Sequence, residues 1–313
     1  MPLTLNHGTR RRLLALTCLA ALVSALLAAQ ASPASAAPSG VLFGAVVHAR
    51  SGQETFAQAV ARQDKAYGRM PISRVFFTGA PDAWPGNAGA SGRPVVVSFR
   101  FAPADILAGT YDAQLRSWFS HAPPRDVYWS YLHEPEDNIA RGEFTSAEYT
   151  KAWYHVSRLA APYAAANPDL HSTLILMCYT MNPASHRNWR NYYVGSGTQS
   201  MVAFDCYNHA GHHGAYGDPA TIFKPLTDWA SANPTIPWGV SEVGSVLSPQ
   251  DADGSQRAAW LRSVGSFLAK RHEASANAAL FGIYYDVKGP KGTDYRLTDS
   301  KSRLAWRDVV QNY

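Results

Sequence analysis

The chain has 313 residues, with 28 Lys and Arg, 23 Asp and Glu, and a formal charge of +5. Three of the cations, Arg10, Arg11 and Arg12, stand in an N-terminal stretch that reads as a removable leader; without it 25 cations face 23 acids. That near-neutral balance argues against nucleic acid as a partner, and the 277 residues left once 36 are removed from 313 are enough for one large domain.

Residues 1–36 have the three parts of a signal peptide: the basic start, an apolar run from Leu13 to Ala29, and a small-residue site at Ala34-Ser-Ala36. Cleavage near Ala36, secretion and no membrane attachment afterwards are expected. Thr9-Arg-Arg-Arg-Leu-Leu14 also permits twin-arginine export. Cys18 lies inside the apolar run rather than after it, which argues against a lipid anchor.

Beyond the leader, Val41–Val47 is a continuous apolar run, the mark of a strand buried on both faces, and His48 follows it. A helix is expected over Gln53–Tyr67, with Phe56, Val60, Gln63 and Tyr67 at helical spacing. Arg74–Phe77 is the second strand; the Pro- and Gly-rich connection after it, which contains Trp84, has no helical pattern. Pro94–Arg100 is the third strand and Tyr111–Phe119 a short helix.

The fourth strand begins at Asp126 and stops at Pro135, which cannot donate to a ladder. The helix after it opens on the capping box Thr145-Ser-Ala-Glu148. Ser172–Cys178, Met201–Tyr207, Ile236–Val240 and Ala279–Asp286 are the fifth to eighth strands. Helices are expected near Pro219–Ala232, around Trp260–Leu268 and over Ser302–Asn312. Eight short apolar strands with intervening helices imply a parallel sheet with right-handed crossovers, closed into a single (β/α)8 barrel over residues 40–313.

Two carboxylates stand out on that frame. Glu134, preceded by His133, lies at the carboxyl end of the fourth strand, and Glu242 follows the seventh. A glutamate at a strand end is commonly a solvated residue opening a loop. Two of them at the catalytic end of one barrel are what a glycosidase needs, one as proton donor and one as nucleophile. Glu136 is the rival to Glu134, but one step past Pro135 it should already be in the loop.

His133-Glu134 and the strand positions of both glutamates resemble the clan A glycoside hydrolases, which carry the acid/base on the fourth strand and the nucleophile on the seventh. Within the clan, His before the acid/base resembles family 26, the β-mannanase group. Trp189-Arg-Asn-Tyr-Tyr-Val-Gly195, leading into Val202-Ala-Phe-Asp-Cys-Tyr-Asn208, resembles that family's approach to its sixth strand. The resemblance implies that Tyr207 hydrogen-bonds the nucleophile. The chain departs from the pattern at Pro135, where many members differ, and at Tyr284-Tyr-Asp286, where the clan usually has tryptophan.

The expectation is therefore a retaining, endo-acting β-glycosidase working on a polysaccharide or oligosaccharide such as mannan, as a monomer with no cofactor and no metal. Glu134 and Glu242 are the catalytic pair, with Glu134 raised to roughly 6 by apolar walls and by its partner's charge. His133, Tyr207, His48, Arg100, Trp84, Trp189 and Tyr285 are candidate substrate-binding residues. For Arg100 a structural ion pair, and for the tryptophans core packing, fit the sequence equally well. Two other classes accommodate the same residues. One is a secreted carbohydrate-binding barrel that has lost catalysis. The other is a metal-dependent hydrolase built on His209-Ala-Gly-His-His213. Cys178 and Cys206 fall in neighbouring strands, where a disulfide and a pair of buried thiols are both compatible with the sequence.

Overall fold

The computed structural model describes residues 40–274, 277–289 and 292–313. The expected leader, with its arginines and Cys18, lies outside them. Eight parallel strands close on themselves in chain order. They are β1 (Leu42–Val46), β2 (Ile72–Phe76), β3 (Val95–Phe99), β4 (Val127–Tyr131), β5 (Leu170–Met177), β6 (Met201–Asn208), β7 (Trp238–Ser245) and β8 (Ala279–Tyr284). This is the (β/α)8 barrel that the apolar runs implied.

Alternation along each strand divides the core in two. One set of side chains, including Val46, Ile72, Val96, Ile175, Ala203 and Ile283, fills the barrel interior. The intervening residues, such as Phe43, Val95, Val97, Trp129 and Phe204, face outward into the helix layer. The main helices are α1 (Phe56–Tyr67), α2 (Asp112–Ser120), α3 (Ser146–Ala166), α4 (Lys224–Ala232), α5 (Ser255–Ala274) and α6 (Ser300–Asn312). In α3 the capping box forms as expected: Glu148 N donates to Thr145 Oγ1 at 3.2 Å, and Thr145 N donates to Glu148 Oε2 at 2.7 Å. An equivalent box at Thr55 and Gln58 starts α1 three residues later than its periodicity suggested.

Two of the units lack a long outer helix. After β2 there is only the turn Gly86–Gly89, in keeping with the Pro- and Gly-rich sequence. After β5 come three short 3-10 turns, two of them started by Asn182 and Asn188, whose side chains accept from Ala184 N and Arg190 N.

The seventh strand is longer than the sequence suggested. It runs to Ser245 rather than stopping at Val240, because β6 pairs with it from Val202↔Trp238 to Asn208↔Ser245. Glu242 thus lies inside the strand. Cys178 and Cys206 are bridged, with Cα atoms 5.0 Å apart, which ties the end of β5 to β6.

Candidate active site

Glu242 owes its direction to an irregularity in β7. Trp238 and Val240 face the helix layer, so strict alternation would send residue 242 the same way. Instead Val240 pairs with Phe204 and Glu242 pairs with Asp205, leaving Ser241 as an extra residue. This bulge shifts the phase by one, so Ser241 and Glu242 both face the barrel interior. Ser241 Oγ donates to Asp205 Oδ1 at 2.6 Å. Glu242 Oε1 accepts from Arg74 Nη2 at 2.9 Å, and Tyr207 OH donates to Oε2. Two residues further on, a Cβ at Gly244 would come within 2.9 Å of the Tyr207 ring, so glycine there leaves the tyrosine its place.

Arg74 reaches the site from β2. It shares a strand face with Ile72 and Phe76, both part of the interior cluster, and its guanidinium lies 4.5 Å from the Phe76 ring centroid. The side chain is fully buried, and besides Glu242 it pairs with Asp205 at 3.7 Å. A guanidinium cannot shed its proton, so a buried one needs carboxylates beside it.

Glu134 enters from the opposite side. After Tyr131 the chain leaves β4 through Leu132 and Glu134, both with left-handed φ (46° and 50°), an uncommon conformation for non-glycine residues. The turn is pinned at several points. Leu132 N donates to Phe99 O at 2.8 Å, Glu134 N donates to Ile175 O at 3.0 Å, and Tyr149 OH donates to Leu132 O at 3.2 Å. Pro135 then opens the helical turn Pro135–Ala140 instead of a loop. That folds Glu136 back into the protein, where only 2% of it is exposed. Its Oε1 accepts from Met177 N at 2.9 Å and from Thr180 Oγ1 at 2.6 Å. The rival carboxylate is thus a clasp between the β4 and β5 ends.

The electrostatics separate these acids. Burial, then the charge on Glu242, then that on Glu136 push the Glu134 carboxyl up to about 8, further than the sequence alone suggested. Burial raises Glu136 to about 7, and burial and Glu242 raise Asp205 well above the usual carboxylate range. Burial, followed by the charges of Arg74 and Arg100, drives the His133 imidazole well below its ordinary value, so it is neutral at pH 7. Tyr207 is pushed up by burial and by Glu242, and stays a phenol. The mouth of the barrel therefore holds a carboxyl just after β4 that keeps its proton at neutral pH and, on β7, a glutamate that accepts from a cation and a phenol.

The sequence matches no family model and no curated protein. The fold is shared with glycoside hydrolases. A glucosidase from Croceicoccus marinus is similar with a TM-score of 0.60 and 10% identity, over 86% of this chain and 67% of that one. A Bacteroidetes-affiliated GH5 cellulase linked with a polysaccharide utilization locus gives 0.53 and 13%, over 88% and 92%. A calcium-binding mutant of Bacteroides uniformis beta-glucuronidase 2 gives 0.53 and 14%, over 84% of this chain but 33% of that one. This chain thus spans about a third of the glucuronidase. At such identities the likeness carries the barrel and not the chemistry.

Of the residues singled out in the sequence, the structure gathers Glu134, Glu242, His133, Tyr207 and Tyr285. The His133 ring lies 5.4 Å from Phe76, and Tyr285 stands edge-on to Tyr207 at 5.7 Å. The others lie elsewhere. Arg100 donates to Asn138 Oδ1 at 3.0 Å and to the His133 carbonyl at 3.5 Å, which braces the Glu134 turn. Trp84 packs on Trp118 at 5.0 Å beside α2. Trp189 packs edge-on against Trp229 at 5.5 Å, next to α4. Each ring packs one side on an aromatic neighbour in the outer wall, is half-buried, and lines a cavity of its own, of about 290 Å³ for Trp84 and about 420 Å³ for Trp189. His48 is exposed and lines a separate cavity of about 360 Å³ between β1 and β8.

No group of three or more metal-ligating side chains occurs among the described residues, and the side chains of His212 and His213 lie outside them. Nor is any described helix long and apolar enough to cross a membrane. Sequence reasoning missed Arg74, Asp205 and Tyr295. The first two were legible as lone charges inside apolar strands. Tyr295, 4.9 Å from the Tyr207 ring, comes from the loop after β8 and had no signal.

Proposed function

We propose that this chain is an exported, retaining β-glycosidase of clan A that acts within a β-linked polysaccharide. Glu134 is the acid/base and Glu242 the nucleophile. The observation that carries this reading is the contrast between two interacting glutamates. Glu134 sits where burial and its partner keep a proton on it, while Glu242 accepts from Arg74 and Tyr207.

In the first step Glu242 attacks the anomeric carbon as the glycosidic C–O bond breaks, and the leaving oxygen takes the Glu134 proton. In the second, water adds to the same carbon, gives its proton to Glu134, and releases Glu242. His133, neutral and half-buried, binds a sugar hydroxyl. Tyr285 and Tyr295 form an aromatic wall on the β8 side.

The family 26 resemblance of His133-Glu134 favours mannan among β-linked glycans. The leader-like N-terminus and the Cys178–Cys206 bridge support export to an oxidising compartment. The test is incubation of wild type, Glu134→Gln and Glu242→Ala with β-mannan, xylan and mixed-linkage glucan, following product size and the first-formed anomer by NMR. One glycan cut with retention, and not by Glu242→Ala, is the expected result. Unchanged cleavage by Glu242→Ala removes the nucleophile assignment, and an inverted product removes the covalent step.

A further inference from the structure

We infer that the β-linked backbone carries anionic substituents, and that a cationic subsite beside the candidate cleft receives one carboxylate or sulfate of them. The inference rests on the glycosidase reading and names its substrate class. The cavity lined by His48 is bounded also by Arg50, Arg62, Lys288, Arg296 and Arg303, against one acid, Asp286. It adjoins a second cavity of about 340 Å³ with which it shares Arg62, Ala66 and Arg303, and which adds Lys65. Five lysines and arginines thus line one recess, and a sixth, Lys65, lines the cavity beside it.

That acid forms no ion pair with any of them. Asp286 is occupied by Gln63 Nε2, Tyr67 OH and Leu297 N, at 3.0, 2.9 and 2.8 Å. Arg62 is taken by Glu54, and Arg296 by Asp294. Arg50, Lys65, Lys288 and Arg303 donate no side-chain hydrogen bond to a carboxylate among the described residues. These four cations leave the recess positive, and that field attracts an arriving anion.

Position supplies the link to the substrate. The segment after β8 has two sides. Tyr285 and Tyr295 take part in the cluster around Glu242, while their neighbours Asp286 and Arg296 line the cationic recess. A glycan chain leaving the cleft between β8 and β1 passes over it. Guanidinium groups match carboxylate and sulfate oxygens in pairs.

The test uses the whole chain as Glu134→Gln, so that bound glycan is not cut. Its affinity for a β-1,4-linked oligoglucuronate, a sulfated cello-oligosaccharide and neutral cello-oligosaccharide is measured by calorimetry at 20 and 500 mM salt. Expected is at least tenfold tighter binding of one anionic ligand at low salt, a preference that shrinks at high salt. The variant Arg50→Ala/Arg303→Ala, altered at two exposed positions, should lose the preference and keep the neutral affinity. Which anionic ligand binds tells uronate from sulfate. Equal affinities, or a preference that survives the double variant, overturns the inference. Salt-sensitive anion binding by a wild type that cuts no β-glycan overturns the glycosidase reading and leaves the recess as an anion site.

Discussion

Replacing Glu134 with Gln should make the protein more stable, increasingly so as pH rises from about 4.5 to 8. The carboxyl is held up to about 8 in the fold, against an ordinary value of 4.5. Below 4.5 it is protonated in both folded and unfolded chains, and titration costs nothing. Between 4.5 and 8 the unfolded chain releases this proton while the folded chain keeps it, so stability falls as pH rises. Above 8 both forms are ionised and the loss is complete. At about 1.4 kcal/mol per pH unit, the interval corresponds to roughly 5 kcal/mol as an upper limit. Glutamine keeps the shape and cannot ionise, so the difference between variant and wild type isolates this group. The assay is urea unfolding of both proteins at pH 4.5, 6, 7.5 and 9. Curves that diverge upward from pH 4.5 and run parallel above 8 agree with the calculation. A constant difference across all four values would refute it, and with it the claim that Glu134 is the proton donor at neutral pH.

Three further outcomes are expected. Glu136→Ala strands Met177 N and the Thr180 hydroxyl, and should cost about 2–4 kcal/mol for two buried donors left unpaired; a thermal melt unchanged within 1 °C would show that the clasp is not used. The double variant Cys178→Ser/Cys206→Ser opens a bridge between residues 28 apart in sequence. On the chain-entropy model it should lose about 3–4 kcal/mol, read as a lower urea midpoint and matched by wild type in reductant. Arg74→Met leaves Asp205 and Glu242 without their cation and should lose about 3–5 kcal/mol, as removal of one partner from a buried pair does. Adding Glu242→Gln should recover a good part of that; if the double variant is no more stable than the single, Arg74 does not serve to balance Glu242.

The barrel was legible because a parallel strand buried on both faces is written as an unbroken apolar run, and Val41–Val47, Pro94–Arg100 and Ser172–Cys178 are such runs. The reading failed at the end of β7, where polar residues follow the apolar run. Ser241, Glu242 and Ser245 look like the opening of a loop, yet they extend β7, because an extra residue at 241 breaks the alternation on which strand recognition depends. Pro135 was read as a stop; it was also a start, since proline suits the first turn of a helix, and that turn carried Glu136 inward. Arg74 and Asp205 are far apart in sequence, and only barrel closure brings them together. Trp84 and Trp189 show the converse. A loop tryptophan can stack on a sugar or on another indole, and the sequence does not show that Trp118 and Trp229 stand beside these two.

What sets the two glutamates apart is the placing of a single cation. Glu134, Asp205 and Glu242 crowd an interior of low polarity in which Arg74 is the buried guanidinium, so the group as a whole must retain protons. Arg74 stands 2.9 Å from Glu242 and 3.7 Å from Asp205, and gives no hydrogen bond to Glu134. The Tyr207 phenol also favours Glu242. No described side chain donates a hydrogen bond to the Glu134 carboxyl, which stands where the chain turns through two left-handed residues. Protons therefore collect on Glu134 and Asp205, and the second of these is fully buried beneath the mouth, leaving Glu134 as the one a substrate can meet. The division of labour follows from which strands carry the arginine and the phenol, β2 and β6, and from the one-residue bulge that turns Glu242 toward both.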